Sequence, residues 1–408
     1  PMVKIAILGF GIVGSGVLEV LRRNAQSVAR RLGQGVEVKY ICDIRDFSSH
    51  ADAKLFVNNI DVILNDSEVK VVVETIGGIK PAYFYVKSAL SSGRHVVTSN
   101  KELVATHGAE LLALAKENNV CFLFEASVGG GTPIITPMHQ CLAANVISEV
   151  AGIVNGTTNF MLTRMARDGM SFDEALKTAQ SLGYAETIDP SADVDGIDAC
   201  RKIAILASLA FGSHIYPQNV STRGIRSITV KDIELAERLK CTVKLIAWAQ
   251  KPDDEPLSCA VEPMLMPKDN QLAGVEDVFN AVLLRGDMLG DVVFYGKGAG
   301  KLPTASAVVA DIIDAIKNGS HIHDSLFWQN AQPIKGEYEN RMISDYYARV
   351  SCTDENTLTD IFGKIEIVDK TDETVFVKRG VSNAAFMQCC KCMEDGGSKV
   401  SLTLRMFK

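Results

Sequence analysis

An apolar run near the start of the chain, Val3 to Leu8, passes directly into Gly9-Phe10-Gly11-Ile12-Val13-Gly14. Apolar residues then recur at helical spacing through Val17, Leu18, Leu21 and Val28, predicting a helix over Ser15 to Leu32. A short unbroken apolar run suits a strand covered on both faces, as in a parallel sheet. The three glycines each answer a geometric need: Gly9 permits the tight turn, Gly11 lets the main chain approach a pyrophosphate, and Gly14 brings helix and strand together. The unpaired N–H groups at the helix start would face the phosphates. Further strand-like runs follow at Val36 to Cys42, Val71 to Glu74, His95 to Thr98 and Cys121 to Phe124, with helical segments between most of them. This alternation predicts a doubly wound Rossmann sheet over residues 1–132 that binds NAD or NADP.

The second strand ends at Asp43, where a carboxylate would accept bonds from ribose hydroxyls and favour NAD. Arg45, two residues on, would instead pair with the 2′-phosphate of NADP, so both cofactors stay open. Lys101, in Thr98-Ser99-Asn100-Lys101, follows another strand at the ligand-bearing edge of such a sheet. By position it is either a solvated loop charge or a cation facing the reacting centre. Glu125-Ala126-Ser127-Val128-Gly129-Gly130-Gly131-Thr132 ends the fifth strand in three glycines, which suits either a tight turn or carbonyl coordination of a monovalent cation.

Past residue 150, Asn155-Gly156-Thr157-Thr158-Asn159-Phe160 is a polar turn opening a helix, and Gly183 to Lys202 carries Glu186, Asp189, Asp193, Asp195 and Asp198. Such density often marks a solvated loop. Here Asp198 and Lys202 fall at i and i+4 on a helix that continues as IAILASLAFG, so the pair sits at the entrance of a buried helix. A lysine beside carboxylates and apolar walls is suited to proton transfer.

Bulk properties exclude other roles. With 49 acidic against 42 basic residues, a net charge of −7 and no basic block, nothing attracts a nucleic acid or an anionic membrane. No run approaches the roughly 20 apolar residues of a membrane span, and the expectation is a cytoplasmic enzyme. The ten cysteines are scattered apart from Cys389, Cys390 and Cys392, which lack partners at zinc spacing; reduced thiols are expected.

From GFGIVG through TSNK, EASVGGGTP, NGTTNF and GYAETIDPSADVDGIDACRK to GKGAGKLPTASAVV, the chain resembles the homoserine dehydrogenases over about residues 3–330. The resemblance implies interconversion of L-homoserine and L-aspartate 4-semialdehyde, with Lys202 as proton donor and acceptor and Lys101 assisting beside the nicotinamide. Glu186 and Asp198 would bind homoserine with Asp193 in support, and Thr157 would contact it from the NGTTNF turn. Cofactor contacts would fall at Gly9, Phe10, Gly11, Ile12, Val13, Gly14, Asp43, Thr75, Lys101, Gly183 and Gly300. A sodium ion would sit on oxygens of Glu125, Val128, Gly130 and Thr132. A different Rossmann-type amino-acid dehydrogenase and a non-catalytic cofactor sensor are the alternatives; the sensor leaves the joint presence of Lys101, Glu186, Asp198 and Lys202 unexplained.

The remaining architecture expected is a mixed α/β catalytic and dimerisation domain over 133–335, with 296–318 packing back on the Rossmann domain. In the last seventy or so residues the periodicity predicts βαββαβ: strands at Ser344 to Cys352, Ile365 to Asp369, Thr374 to Lys378 and Lys399 to Phe407, helices at Asp354 to Lys364 and Ser382 to Glu394. This ferredoxin-like order looks like the ACT modules that sense amino acids such as L-threonine, although Asp354-Glu355-Asn356-Thr357-Leu358 replaces their usual Pro-Gly turn. Residues 340–408 are therefore expected to form a separate regulatory or oligomerisation module of a homodimer or homotetramer, dispensable for chemistry if the chain ends near Glu337.

Overall fold

The computed structural model describes residues 2–252, 255–338, 340–352 and 354–407. It divides into two compact units, Pro1–Ser148 with Ala204–Pro217 and Arg285–Pro333, and Glu149–Ile203 with Gln218–Leu284 and Ile334–Lys408.

In the first unit, β1 (Met2–Leu8), β2 (Gly35–Cys42), β3 (Phe56–Val57), β4 (Val69–Glu74), β5 (His95–Thr98) and β6 (Phe122–Leu123) form a parallel sheet in the order β3-β2-β1-β4-β5-β6. This is the dinucleotide-binding order, with its crevice where β1 and β4 diverge. Ile5 to Leu8 and Val71 to Val73 are fully buried, which is why these runs carry no polar alternation. The single helix expected after the glycine turn is two, Ile12–Arg23 and Ala25–Leu32, broken where Asn24 leaves helical geometry at φ −106° and ψ 20°. Asparagine favours such a break because its side chain competes for nearby backbone groups. The helix Lys301–Ile322 packs on Ile12–Arg23 at Gly16, where an added Cβ would lie 3.0 Å from Ala305 Cβ and from the Lys301 carbonyl.

The second unit is built on a mixed sheet. Its strands are β7 (Ile147–Ile153), β8 (Ser221–Thr222), β9 (Cys241–Gln250), β10 (Ser258–Pro267) and β11 (Phe279–Gly286), then, beyond β12 (Gly290–Lys297), β13 (Ile343–Val350), β14 (Glu366–Lys370), β15 (Thr374–Ser382) and β16 (Val400–Met406). They run β11-β7-β9-β10-β16-β13-β15-β14, with β8 beside β10. The C-terminal βαββαβ succession is present, with helices Glu355–Phe362 and Asn383–Asp395 over strand order β16-β13-β15-β14. Its own core includes Tyr346 stacked on Phe386 at 4.3 Å, with Phe362, Phe376 and Cys390.

The tail, expected over residues 340–408, falls within the second compact unit. β16 lies parallel to β10, with Met264 opposite Arg405 and Leu265 opposite Met406, so the tail strands continue the sheet of the second unit. Buried charge fixes the seam. The Glu262 carboxylate accepts from Arg405 Nε at 3.1 Å, Trp248 Nε1 at 3.1 Å and Arg223 Nη2 at 2.9 Å, while the Arg405 guanidinium lies 4.1 Å from the Trp248 ring centroid. Asp232, fully buried, accepts from Tyr347 Oη at 2.7 Å and Arg349 Nε at 3.1 Å. Register between distant strands is set by such long-range pairs and leaves no local periodicity to read.

Candidate active site

The nucleotide crevice lies in the first unit. Gly9 has φ 89° and donates its N–H to the Cys42 carbonyl at 2.8 Å. At Gly14 an added Cβ would stand 2.0 Å from the Gly9 carbonyl oxygen, so no larger residue fits that crossing. Thr75 Oγ1 donates to the Leu8 and Gly9 carbonyls at 3.0 and 2.8 Å, tying the end of β4 to the turn. Phe10 N–H donates to Asp43 Oδ2 at 2.8 Å, and Phe10 packs edge-on against Phe47 and Phe56. Gly11 precedes the helix with open space around it, and Ile12 and Val13 form its first turn. A cavity of about 330 Å³ here is lined by Gly9, Phe10, Asp43, Arg45, Thr75 and Tyr85, among others.

Asp43 and Arg45 are partners. Arg45 Nε and Nη2 donate to the two Asp43 oxygens at 3.0 and 2.7 Å, and this ion pair holds the carboxyl well below the usual carboxylate range. The Arg45 side chain stays 57 % exposed, leaving it room to turn outward.

At the end of β5, Thr98 Oγ1 donates to the buried Glu74 carboxylate at 2.6 Å, and Glu74 also accepts from the Ile76 and Gly77 N–H groups. Burial raises the Glu74 pKa despite these donors. Asn100 caps the helix Lys101–Glu117 through Leu103 N–H at 3.0 Å and ties to the Gly78 carbonyl at 2.6 Å. Lys101 thus begins a helix whose start is braced on three sides. Gly300, at φ 123°, precedes the helix Lys301–Ile322.

In the loop after β6, the buried Glu125 carboxylate accepts from the Ile134, Ile135 and Thr136 N–H groups at 2.6 to 3.0 Å. Gly130 has φ 55° and lies so close to Gly298 that a Cβ would stand 2.3 Å from its carbonyl. Thr132, also buried, donates to the Lys297 carbonyl at 3.3 Å. Glu125's side chain is thereby committed to the backbone.

The second unit gathers the charged residues singled out in the sequence. Helix Ile197–Phe211 presents Asp198 and Lys202 one turn apart, with Lys202 Nζ 2.9 Å from Asp198 Oδ2 and donating to the Val154 carbonyl at 2.7 Å. Asn155 Nδ2 donates to Asp193 Oδ1 at 2.7 Å and Asp198 Oδ2 at 3.0 Å. Its Oδ1 accepts from Thr158 N–H and Oγ1, both at 2.9 Å, which fixes the amide with its donors toward the carboxylates. The result is a closed ring of Lys202, Asp198, Asn155 and Val154, with the lysine and Asp198 side chains only 10 % and 8 % exposed. Sequence reasoning placed Asn155 in a ligand-contacting turn; its role in aligning two carboxylates needed the fold. Thr157 Oγ1 donates to the Tyr184 carbonyl at 2.6 Å, joining that turn to the 183–190 loop. Glu186 sits exposed on this loop, its carbonyl accepting from Gln180 Nε2 at 2.9 Å, and Gly183 opens the loop at φ 74°. Asp193, Asp198 and Lys202 are thus brought together around Asn155, Thr157 lies in the same turn, and Glu186 is exposed on the 183–190 loop.

A glycine-rich nucleotide crevice and a buried lysine held by carboxylates are the parts a dehydrogenase of a polar alcohol needs. The model of the homoserine dehydrogenase NAD-binding domain matches residues 9–125, and that of the homoserine dehydrogenase domain matches residues 133–313. The chain belongs to the homoserine dehydrogenase family. It is 45 % identical over 321 residues to the Synechocystis homoserine dehydrogenase, covering 77 % of this chain and 73 % of that one. Identity to the Bacillus subtilis enzyme is 38 % over 396 residues, or 95 % and 87 % of the two chains. The crystal structure of the Thiobacillus denitrificans homoserine dehydrogenase superposes with a TM-score of 0.90 at 35 % identity, covering 100 % of this chain and 99 % of that one, tail included. A hyperthermophilic archaeal homoserine dehydrogenase mutant, solved with NADPH, matches 77 % of this chain and 98 % of its own at a TM-score of 0.66 and 33 % identity.

Proposed function

We propose that this NAD(P)-dependent oxidoreductase interconverts L-homoserine and L-aspartate 4-semialdehyde with Lys202 moving the hydroxyl proton. The observation that carries this assignment is the ring that holds Lys202 Nζ between Asp198 and the Val154 carbonyl. Oxidising the alcohol sends a hydride to the nicotinamide and a proton to a base, and a buried lysine fixed from two sides has the required position and chemistry. The nicotinamide cofactor supplies the hydride acceptor. This chain's residues bind substrate, orient its hydroxyl and take the proton at Nζ.

Asp198 and Asp193 offer negative charge to the substrate ammonium, Thr157 contacts it from the capped turn, and Glu186 reaches it from the 183–190 loop. Lys101 faces the nicotinamide side. Gly9 to Gly14, Asp43, Thr75, Gly183 and Gly300 contact the dinucleotide, with NAD favoured while Arg45 stays on Asp43 and NADP accepted when it turns outward. The loop bearing Glu125, Val128, Gly130 and Thr132 holds a sodium ion through main-chain oxygens, a donor set that suits a hard cation. The protein works in the cytoplasm as a homodimer or homotetramer, and its ACT-like tail takes an amino-acid effector such as L-threonine. A cavity of about 590 Å³ lined by Arg223, Glu262, Asn340, Ser382, Asn383 and Met387 supports the effector reading.

The test is Lys202→Ala: kcat is expected to fall by roughly 10² to 10⁴ with cofactor affinity unchanged. Turnover near that of the unaltered enzyme would refute the assignment.

A further inference from the structure

The turn carrying Asp193 and Asp198 leans on a short segment, residues 221–226, that is itself gripped by the last strand of the chain. At its far end, Arg223 Nη1 donates to Thr403 Oγ1 at 2.9 Å and to the Thr403 carbonyl at 3.3 Å, both on β16. Its Nη2 donates to Glu262 on β10, and its main-chain N–H to the Val261 carbonyl at 2.8 Å. At the near end, Ile225 N–H donates to the Val194 carbonyl at 2.9 Å. Arg226 grips Asp195 with two bonds, Nε at 2.6 Å and Nη2 at 3.1 Å, and reaches Ser191 Oγ at 3.1 Å. Gly224 between them has no room for a side chain: an added Cβ would lie 1.9 Å from the Val194 carbonyl oxygen and 2.4 Å from Asp195 Cα.

We infer that residues 223–226 are a strap that positions the substrate carboxylates, and that Arg223 is the residue through which β16 fixes it. The contacts are short and directional at both ends, and only one residue, the backbone-crowded Gly224, separates the tail clamp from the turn clamp. A displacement at Arg223 is therefore delivered to Val194 and Asp195, which directly follow Asp193 and precede Asp198 by a few residues. Displacements of an ångström at a binding group are enough to cost up to about a hundredfold in rate. The groups assigned to the substrate are Asp193 and Asp198, and the strap bonds to the residues between them. This makes Arg223 and Arg226 positioning residues, and it makes the C-terminal strand part of the substrate-binding scaffold. The inference rests on the reading that Asp193 and Asp198 bind the amino acid.

The test is steady-state kinetics of Arg223→Ala, Arg223→Lys, Thr403→Val and Gly224→Ala in the full-length chain, with melting temperatures recorded alongside. Arg223→Ala should raise KM for L-homoserine about tenfold, with kcat within about threefold and KM for the dinucleotide unchanged. Arg223→Lys should be intermediate, because an ammonium cannot make the forked contact to Thr403 and Glu262 at once. Thr403→Val should act in the same direction, and adding it to Arg223→Ala should cost little more, since both cut one clamp. Gly224→Ala should raise homoserine KM with Arg223 intact. An unchanged homoserine KM in folded Arg223→Ala, or an equal rise in both KM values, would overturn the strap. Should Arg223→Ala not fold, unchanged homoserine KM in Thr403→Val and Gly224→Ala would do the same. Asp198→Ala separates the two readings: if it leaves homoserine KM unaltered, the substrate assignment fails; if it raises KM while the strap variants do not, only the strap fails.

Discussion

Replacing Arg405 by alanine should destabilise the protein in a pH-dependent way, because its partner Glu262 is buried with it in the seam between β10 and β16. The two side chains are 4 % and 8 % exposed, so solvent screens the pair little. Burial alone would raise the Glu262 pKa, but the charges of Arg405 and Arg223 outweigh it and hold the carboxyl below its ordinary value. Removing one member of such a pair costs about 3 to 5 kcal/mol, a large part of a typical total stability of about 5 to 15 kcal/mol, and here leaves the buried Glu262 to Arg223 and Trp248. For units of this size that corresponds to a fall in Tm of roughly 6 to 20 °C. A carboxyl with a depressed folded-state pKa contributes stability above its unfolded pKa and loses that contribution as pH falls through the folded value. Without Arg405, burial has less to oppose it and Glu262 takes up a proton more readily, which relieves the buried charge. The gap between the two proteins should therefore be widest near neutrality and narrow toward about pH 4 to 5, the ordinary glutamate range. Thermal melts followed by circular dichroism across that range measure it. A Tm within about 2 °C of the unaltered protein at neutral pH would refute the claim that buried charge holds the tail to the sheet.

Ending the chain after Glu337 removes Tyr347, Arg349 and Arg405 together and uncovers the edge of β10. The fragment should be aggregated or inactive by size-exclusion chromatography and assay, and a soluble fragment with full activity would contradict the integrated fold. Asn155→Ala should lower kcat/KM for L-homoserine by roughly 10- to 100-fold, since two carboxylates, one of them paired with Lys202, lose their common anchor; a change below twofold would show the ring to be incidental. Asp43→Ala should weaken NAD more than NADP in a binding titration, because it removes the ribose acceptor and releases Arg45; equal losses would place the ribose elsewhere.

The glycine turn was legible because its pattern is local, a strand, a turn and a helix in sequence, and Gly14 crowds the Gly9 carbonyl as that pattern requires. The βαββαβ succession at the C-terminus was legible for the same reason, as each element has its own periodicity. The Asp198 and Lys202 pair followed from helical spacing alone. What could not be read was long-range. Nothing in the tail marks β16 as the parallel neighbour of β10, and the buried cluster of Arg223, Glu262, Trp248 and Arg405 draws its members from distant parts of the sequence. Asn155 reads as part of a polar turn opening a helix, and only the folded chain shows its oxygen capping that helix and its amide nitrogen bound to two carboxylates. The bonds from the Glu125 carboxylate to three backbone N–H groups of the following turn also had no sequence signal.

The most direct test of the central claim is substrate-dependent reduction of the cofactor. The purified full-length chain should produce reduced nicotinamide, followed by its absorbance, when L-homoserine is added with NAD or NADP. It should produce none with L-serine or L-threonine, and the Lys202→Ala variant should lose the signal while still binding the dinucleotide. Reduction that is independent of L-homoserine, or that survives the loss of Lys202, would contradict the account.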